Sequence, residues 1–262
     1  MKTAVVKVSG KAIQSFLENE AAIKAFEDFK QLYDAVILVH GAGVTITEWS
    51  DRMGLKSTFV NGQRQTCEEQ IKVVAAVQNG LINSQFIATL NARGFSSVGL
   101  SGISGNSFTT EPISEELGLV GKPKLIGNLR WVEALLSSNV IPVFSSVCRD
   151  DHGQLINVNA DLFAEAIAQE LQADTVVFLS DIKGVQLNDR VCTNLHVKDI
   201  YSGIDSGEIS GGMIPKLLSC EELLKKGIDK IWIGSSLIDL QSGHSGTWIT
   251  YDNHSPNYNA AS

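Results

Sequence analysis

A mostly parallel α/β sheet is the fold class predicted for this chain, and three observations predict it. Short apolar runs such as "AVILV" (35–39) and "TVVFL" (175–179) alternate with amphipathic stretches, the pattern of strands joined by helical crossovers. Several runs end in Gly- or Ser-rich turns, "KVSGK", "VHGAGVT", "GLSGISG" and "LSDIKG", followed by helix caps. The chain, 262 residues and 44% hydrophobic, is long enough for one large domain or two lobes sharing a core. No fixed-period repeat is present.

The elements follow in order. "AVVKVSG" (4–10) is a strand whose Lys7 needs a partner, because a buried ammonium is costly when unpaired. "NEAAIKAFEDFKQLYD" is a helix with Asn19 as cap and Ile23, Phe26, Phe29 and Tyr33 on one face. "AVILVHGAG" is a buried strand running into a glycine turn. "TITEWSDRMG" is read as a helix capped by Thr45, with Ile46, Trp49 and Met53 inward and Gly54 as its stop. "FVNGQR" (59–64) is a hairpin, since the Asn61-Gly62 pair favours the positive φ of a tight turn. Strands follow at 94–102 and 140–147, with the helix "NLRWVEALLSSN" between them. "ADLFAEAIAQELQA" is a helix burying Leu162, Phe163, Ala166, Ile167 and Leu171, and "DTVVFLSD" is the strand after it. "KLLSCEELLKKG", closed by Gly227, leads to the strand "DKIWIGS", and the tail "DNHSPNYNAAS" is polar.

Composition excludes several function classes. A net charge of −8 disfavours broad contact with a nucleic-acid backbone. The apolar runs are too short to span a bilayer, and lysines stand at positions 2, 7 and 11 where a signal peptide needs an apolar core, so the expected location is cytoplasmic. Cys67, Cys148, Cys192 and Cys220 form no CxxC pair, which suggests free thiols and no metal site.

The chemistry is expected at the strand ends. In an open parallel sheet, ligands bind at the C-terminal strand edge, where free backbone N–H groups favour phosphates and carboxylates. Neither GxxxxGK[ST] nor a GxGxxG after the first strand is present, so a Walker-type ATPase and a dinucleotide fold are not indicated. In "GQLINVNAD" (153–161), Asn157 and Asn159 fall on one side of an extended segment and can bind a polar ligand. Asp161 either caps the next helix or offers a carboxylate to a lysine. In "ISGGMIPK" (209–216), Lys216 either points to solvent or, being a cation near a helix N-terminus, requires a negative partner.

These segments together, in order over about residues 4 to 250, resemble the amino acid kinase family and, within it, the acetylglutamate kinase branch. "VKVSG", "LVHGAG", "FVNGQRQT", "SVGLSG", "ELGLVG", "GQLINVNAD", "LSDIKGV" and "ISGGMIPK" carry the resemblance. "NGxRxT", "GQLxNxNAD" and "GGMIPK" are specific to the branch. The resemblance implies an open three-layer αβα sandwich with a mainly parallel central sheet. An N-terminal lobe (1–172) would bind the acyl amino acid and dimerise, a C-terminal lobe (173–250) would bind ATP, and 251–262 would form a polar tail.

The implied reaction is transfer of the γ-phosphoryl of ATP, with Mg2+ carried by the nucleotide, to the side-chain carboxylate of N-acetyl-L-glutamate on the arginine route. By position, Lys7 and Lys216 would hold the phosphoryl group and Asp161 would orient both. Gly10 and Gly43 would donate backbone N–H bonds to it. Arg64 would clamp the α-carboxylate, with Ala42, Asn157 and Asn159 also at the substrate, and Ser180, Asp181, Gly184, Gly211 and Met213 would shape the nucleotide pocket. A homodimer without arginine feedback is implied.

Two positions depart from the family pattern: Ser9 and Ala42 stand where glycines are usual, and an alanine disfavours positive φ. These departures keep open a kinase for another N-acylated acid, such as N-succinylglutamate or an N-acylated aminoadipate, and a catalytically silent nucleotide-binding regulator. Lys11, just past the first turn, either adds a cation within reach of phosphate or is an exposed surface lysine, and the latter is expected.

Overall fold

The computed structural model describes residues 1–188, 190–243 and 245–251; the polar tail from 252 onward and the side chain of Lys11 lie outside the described residues. Its strands are β1 (Thr3–Val8), β2 (Ala35–His40), β3 (Phe59–Val60), β4 (Gln63–Arg64), β5 (Ser97–Ser101), β6 (Phe108–Pro112), β7 (Val120–Leu125) and β8 (Ile141–Ser145). They continue with β9 (Val147–Arg149), β10 (Leu155–Val158), β11 (Thr175–Leu179), β12 (Gln186–Leu187), β13 (Arg190–Val191), β14 (Asn194–His196), β15 (Lys230–Gly234) and β16 (Thr247–Thr250). The helices are α1 (Gly10–Glu18), α2 (Glu20–Gln31), α3 (Gly43–Arg52), α4 (Glu68–Ala75), α5 (Asn83–Ala92), α6 (Arg130–Ser137), α7 (Ala160–Glu170), α8 (Val197–Asp205), α9 (Met213–Lys225) and α10 (Leu237–Ser242). A π-helical segment, Ala76–Ile82, joins α4 to α5.

The main sheet has eight strands in the order β14-β16-β15-β11-β1-β2-β8-β5. From β15 to β5 all pairings are parallel; β16 runs antiparallel to β15, and β14 is parallel to β16. β1 is the switch point, because the chain passes first to β2 on one side and later to β11 on the other, and such a reversal opens a crevice at the strand ends. A second sheet, β6-β7-β10-β9, carries the segment predicted to be extended around Asn157.

Strand alternation sorts side chains into two cores and so makes three layers. Ala4, Val6 and Val8 of β1 join Phe16, Phe26, Phe29, Val74 and Phe86 from α1, α2, α4 and α5. Val5 joins Val132, Phe163, Ile167, Ile200 and Leu223 from α6 to α9. Lys7 therefore lies on the α7 side of the sheet.

Most predicted elements are present, with Asn19 capping α2 through its side chain and Asn61 (φ 48°) and Gly62 (φ 78°) turning the β3–β4 hairpin. Several details differ. α3 starts at Gly43, so Thr45 sits inside its first turn and does not cap it, and Met53 is exposed while Ile46 is buried. In α7 the innermost residues are Phe163, Ala164, Ile167 and Ala168; Leu162, Ala166 and Leu171 are only half-buried. The α4–α5 span, α8, α10, the extent of α1 beyond its expected cap and the second sheet apart from the segment around Asn157 were not anticipated; in the α4–α5 span, Gln78, Asn79 and Asn83 interrupt the apolar run and find their partners across the fold.

Candidate active site

Lys7 projects from the centre of the sheet, between Val39 of β2 and Phe178 of β11 in register, so its ammonium is flanked by apolar strands. Its charge is met from the N-terminus of α7: Lys7 Nζ lies 2.6 Å from Asp161 Oδ1. Lys216, in the first turn of α9, lies 3.1 Å from Asp161 Oδ2 and 5.0 Å from the centre of the Phe178 ring. The side chains of Lys7 and Lys216 are 11% and 18% exposed, so the pairs are shielded from solvent screening. Lys216 thus has the negative partner and does not point to solvent.

Asp161 is not the helix cap. The cap is Asn159, whose side-chain oxygen accepts from the Asp161 N–H at 2.7 Å, leaving the Asp161 carboxylate to the lysines. Burial alone would raise the Asp161 carboxyl, but Lys7 and then Lys216 outweigh it and hold it below the ordinary carboxylate value. Two ammonium groups sharing one carboxylate leave a net positive charge, and each retains N–H donors for an anion.

Arg64, at the end of the hairpin, is buried and, among the described residues, makes hydrogen bonds to neutral oxygens: Nη1 to Ser57 Oγ (2.7 Å), and Nη2 to Gly43 O (2.9 Å) and Thr47 Oγ1 (2.6 Å). Phe59 stacks beneath its guanidinium at 4.7 Å. These bonds orient the cation without neutralising it, and burial, opposed by Asp51, lowers its pKa from the ordinary arginine value. Such a site suits a carboxylate.

One cleft of about 240 Å³ brings Lys7, Asp161 and Arg64 together, lined also by Gly10, Ala42, Gly43, Asn157 and Asn159; Lys216 does not line it and is joined to it through Asp161. A larger depression of about 590 Å³ beside α1 shares Gly10 with it but, among the described residues, has neither lysine nor arginine in its wall. Gly10 and the β2 turn touch closely: a Cβ on Gly10 would sit 2.9 Å from Gly43 N, so the first turn requires glycine there.

Both departures from the family pattern have physical accounts. Ala42 is 2% exposed with φ −157°, outside the left-handed region, so its methyl causes no backbone strain. Ser9 accepts the Ala12 N–H through its Oγ at 3.3 Å and begins α1 as a cap would.

Ser180 and Asp181 follow β11, Gly184 (φ 134°) and Gly211 (φ 57°) occupy turns, and Met213 opens α9. They lie on the β11 side of β1 and do not line the cleft that holds Arg64.

Two groups of residues escaped the sequence reading. His40 is buried and stacked on Phe86; its Nδ1 donates to Gly41 O (3.0 Å) and its Nε2 accepts from Asn83 Nδ2 (3.0 Å). Burial brings its pKa down to about 4, opposed by the bond to Gly41, so the neutral ring braces the β2 turn. Gln78 and Ser146 also line the cleft. The signal was available in "AVQNGLIN", where Gln78, Asn79 and Asn83 interrupt an apolar run.

The Amino acid kinase family matches residues 2–235, and the chain belongs to that family. Among curated relatives, the acetylglutamate kinase of Bacillus licheniformis is 36% identical, covering 96% of this chain and 93% of that protein. The acetylglutamate kinase of Endomicrobium trichonymphae is 35% identical, covering 90% and 94%. Among solved structures, smu.665 from Streptococcus mutans UA159 superposes with a TM-score of 0.83 at 26% identity, covering 95% of this chain and 99% of that one. Giardia carbamate kinase superposes with a TM-score of 0.68 at 17% identity, covering 96% and 99%, a likeness of fold alone.

Proposed function

We propose that this protein transfers the γ-phosphoryl group of ATP to the side-chain carboxylate of N-acetyl-L-glutamate, forming an acyl phosphate in arginine biosynthesis. The observation that carries the reading is one cleft lined by Lys7, Asp161 and the buried Arg64, in which Asp161 is shared between Lys7 and Lys216 and Arg64 is hydrogen-bonded to neutral oxygens.

The attacking carboxylate is already an anion, so no general base is required. The barrier is the approach of two negative groups, which cations and N–H donors lower. In this reading Lys7 and Lys216 hold the transferring phosphoryl group from two sides, and Asp161 fixes their spacing. Gly10 and Gly43 offer backbone N–H groups to the same oxygens. Arg64 binds the α-carboxylate, and Asn157 and Asn159, with Ala42, border the amino-acid portion. Ser180, Asp181, Gly184, Gly211 and Met213 border the nucleotide.

Mg2+ belongs to the reading as the ion that travels on the ATP phosphates. Among the described residues no cluster of three or more His, Cys, Asp or Glu could hold a metal by itself. Residues 1–172 form the acyl amino acid lobe and the dimer contact, and 173–250 the nucleotide lobe. Among the described residues no helix is long and apolar enough to cross a membrane; a cytoplasmic location is part of the reading, checked by cell fractionation.

The test is ADP release by the purified protein with MgATP and, in parallel, N-acetyl-L-glutamate, N-succinyl-L-glutamate and N-acetyl-L-aminoadipate. Preference for the acetyl compound is expected. Preference for another acid would relocate the specificity, and ATP binding without turnover of any of them would overturn the reading.

A further inference from the structure

Gln78 belongs to no role assigned above, yet it is 3% exposed and stands in the wall of the cleft. It sits in the π-helical segment, whose wider turn brings consecutive side chains, Gln78 and Asn79, onto Ser146 and Ser145 at the C-terminal end of β8. Its carboxamide orientation is settled by one bond: the backbone N–H of Ser146 can only donate, and it lies 3.1 Å from Gln78 Oε1. Ser146 Oγ donates to the same oxygen at 3.1 Å. Gln78 Nε2 is consequently turned the other way, and it makes no hydrogen bond among the described residues. The residue as a whole is buried, but Nε2 is not among the fully buried unpartnered atoms, so this donor is open to the cleft and to a ligand there.

Asn157 is oriented by the same logic with the opposite result. Thr66 Oγ1 spends its proton on Arg64 O (2.9 Å), so at 3.1 Å it can only accept from Asn157 Nδ2. Asn157 Oδ1 is then left as an acceptor in the wall of the cleft. Besides its cations and backbone N–H groups, the cleft offers Gln78 Nε2 as an oriented donor and Asn157 Oδ1 as an oriented acceptor, with the buried, unpartnered Gln63 Oε1 as a second acceptor in its wall. A secondary amide presents one acceptor and one donor on opposite sides of its plane.

We propose that Gln78 is a specificity-determining residue for the acyl end of the substrate: its Nε2 donates to the acyl carbonyl oxygen, while Asn157 Oδ1 accepts from the amide N–H. This rests on the reading of the substrate as an N-acylated glutamate. It makes the amide itself, beyond the two carboxylates, a recognised group, because an analogue without it forgoes both hydrogen bonds.

The experiment is calorimetric binding of N-acetyl-L-glutamate and of glutarate, which keeps both carboxylates and lacks the amide, to the full chain and to Gln78→Met and Gln78→Leu. The KM for MgATP and the thermal midpoint are measured alongside. The wild type is expected to bind N-acetyl-L-glutamate more tightly than glutarate. Each variant should lose on the order of tenfold for the former and nothing for the latter, with the MgATP KM unchanged. Unaltered N-acetyl-L-glutamate binding in both variants, or an equal loss for both ligands, would overturn the role of Gln78. Failure of the wild type to bind N-acetyl-L-glutamate at all would overturn the substrate reading instead, so the two failures are distinguishable.

Discussion

Asp161 divides its two oxygens between two ammonium groups, and this sharing explains why each lysine tolerates burial. Asp161→Asn removes the charge at nearly constant shape and leaves the Asn159 cap in place. It is expected to lower kcat on the order of 100-fold or more while the far-UV circular dichroism is retained; wild-type turnover would reduce Asp161 to a structural role. Lys216→Ala should lower kcat far more than it raises the KM for the acyl amino acid, since the proposed reading gives its contact to the transferring group, and unchanged turnover would remove it from the transition state. Arg64→Ala should act oppositely. Loss of a charge-assisted carboxylate clamp predicts a KM for the acyl amino acid raised on the order of 10- to 100-fold with a smaller change in kcat, and an unaffected KM would misplace the carboxylate site.

Helices α7 and α9 meet directly behind the lysine–aspartate cluster. Glu165, one turn beyond Asp161, is hydrogen-bonded to Ser219, which lies three residues beyond Lys216 on α9; burial pushes its carboxyl from the ordinary 4.5 up to about 7. A carboxyl raised on folding binds its proton more tightly in the native state, so between those two values the native state carries more protons than the unfolded one. The associated stability is complete below about pH 4.5 and is lost as the pH rises through about 7. Glu165→Gln should flatten this part of the profile, raising the thermal midpoint at pH 8 relative to wild type more than at pH 5. Equal shifts at both pH values would contradict the account. At the level of elements the sequence was legible where apolar periodicity was strong, as in α2, β2, β11 and β15. It was illegible at α3, where Gly43 and not Thr45 begins the helix because the N-terminus is placed by the approach of the β2 turn to Gly10.

In the whole molecule, the switch at β1 gathers turns separated by more than a hundred residues onto one edge of a single sheet that continues from β5 to β14. The proposed homodimer predicts a sedimenting mass of twice the chain's 28.3 kDa at micromolar concentration, and a monomeric mass there would remove the dimer from the reading. The eight-stranded sheet and its two cores agree with the α/β class that alternation alone predicted. Lys7, Asn157, Asp161 and Lys216 were recognisable as candidates from residue type and position in short motifs, whereas Arg64 was reached only through the family resemblance of "NGQR". Motifs are local, however, and the choice between cap and counter-ion for Asp161, or between solvent and partner for Lys216, depends on which strand and helix lie opposite. That information is non-local, since Lys7 and Asp161 meet only when α7 crosses β1, and Gln78 acquires an oriented donor only when the π-turn brings it against the Ser146 N–H. The sequence therefore carried the chemical inventory and the sheet class, and packing assigned each polar group the partner that fixes its charge, its orientation and the side it turns to the cleft.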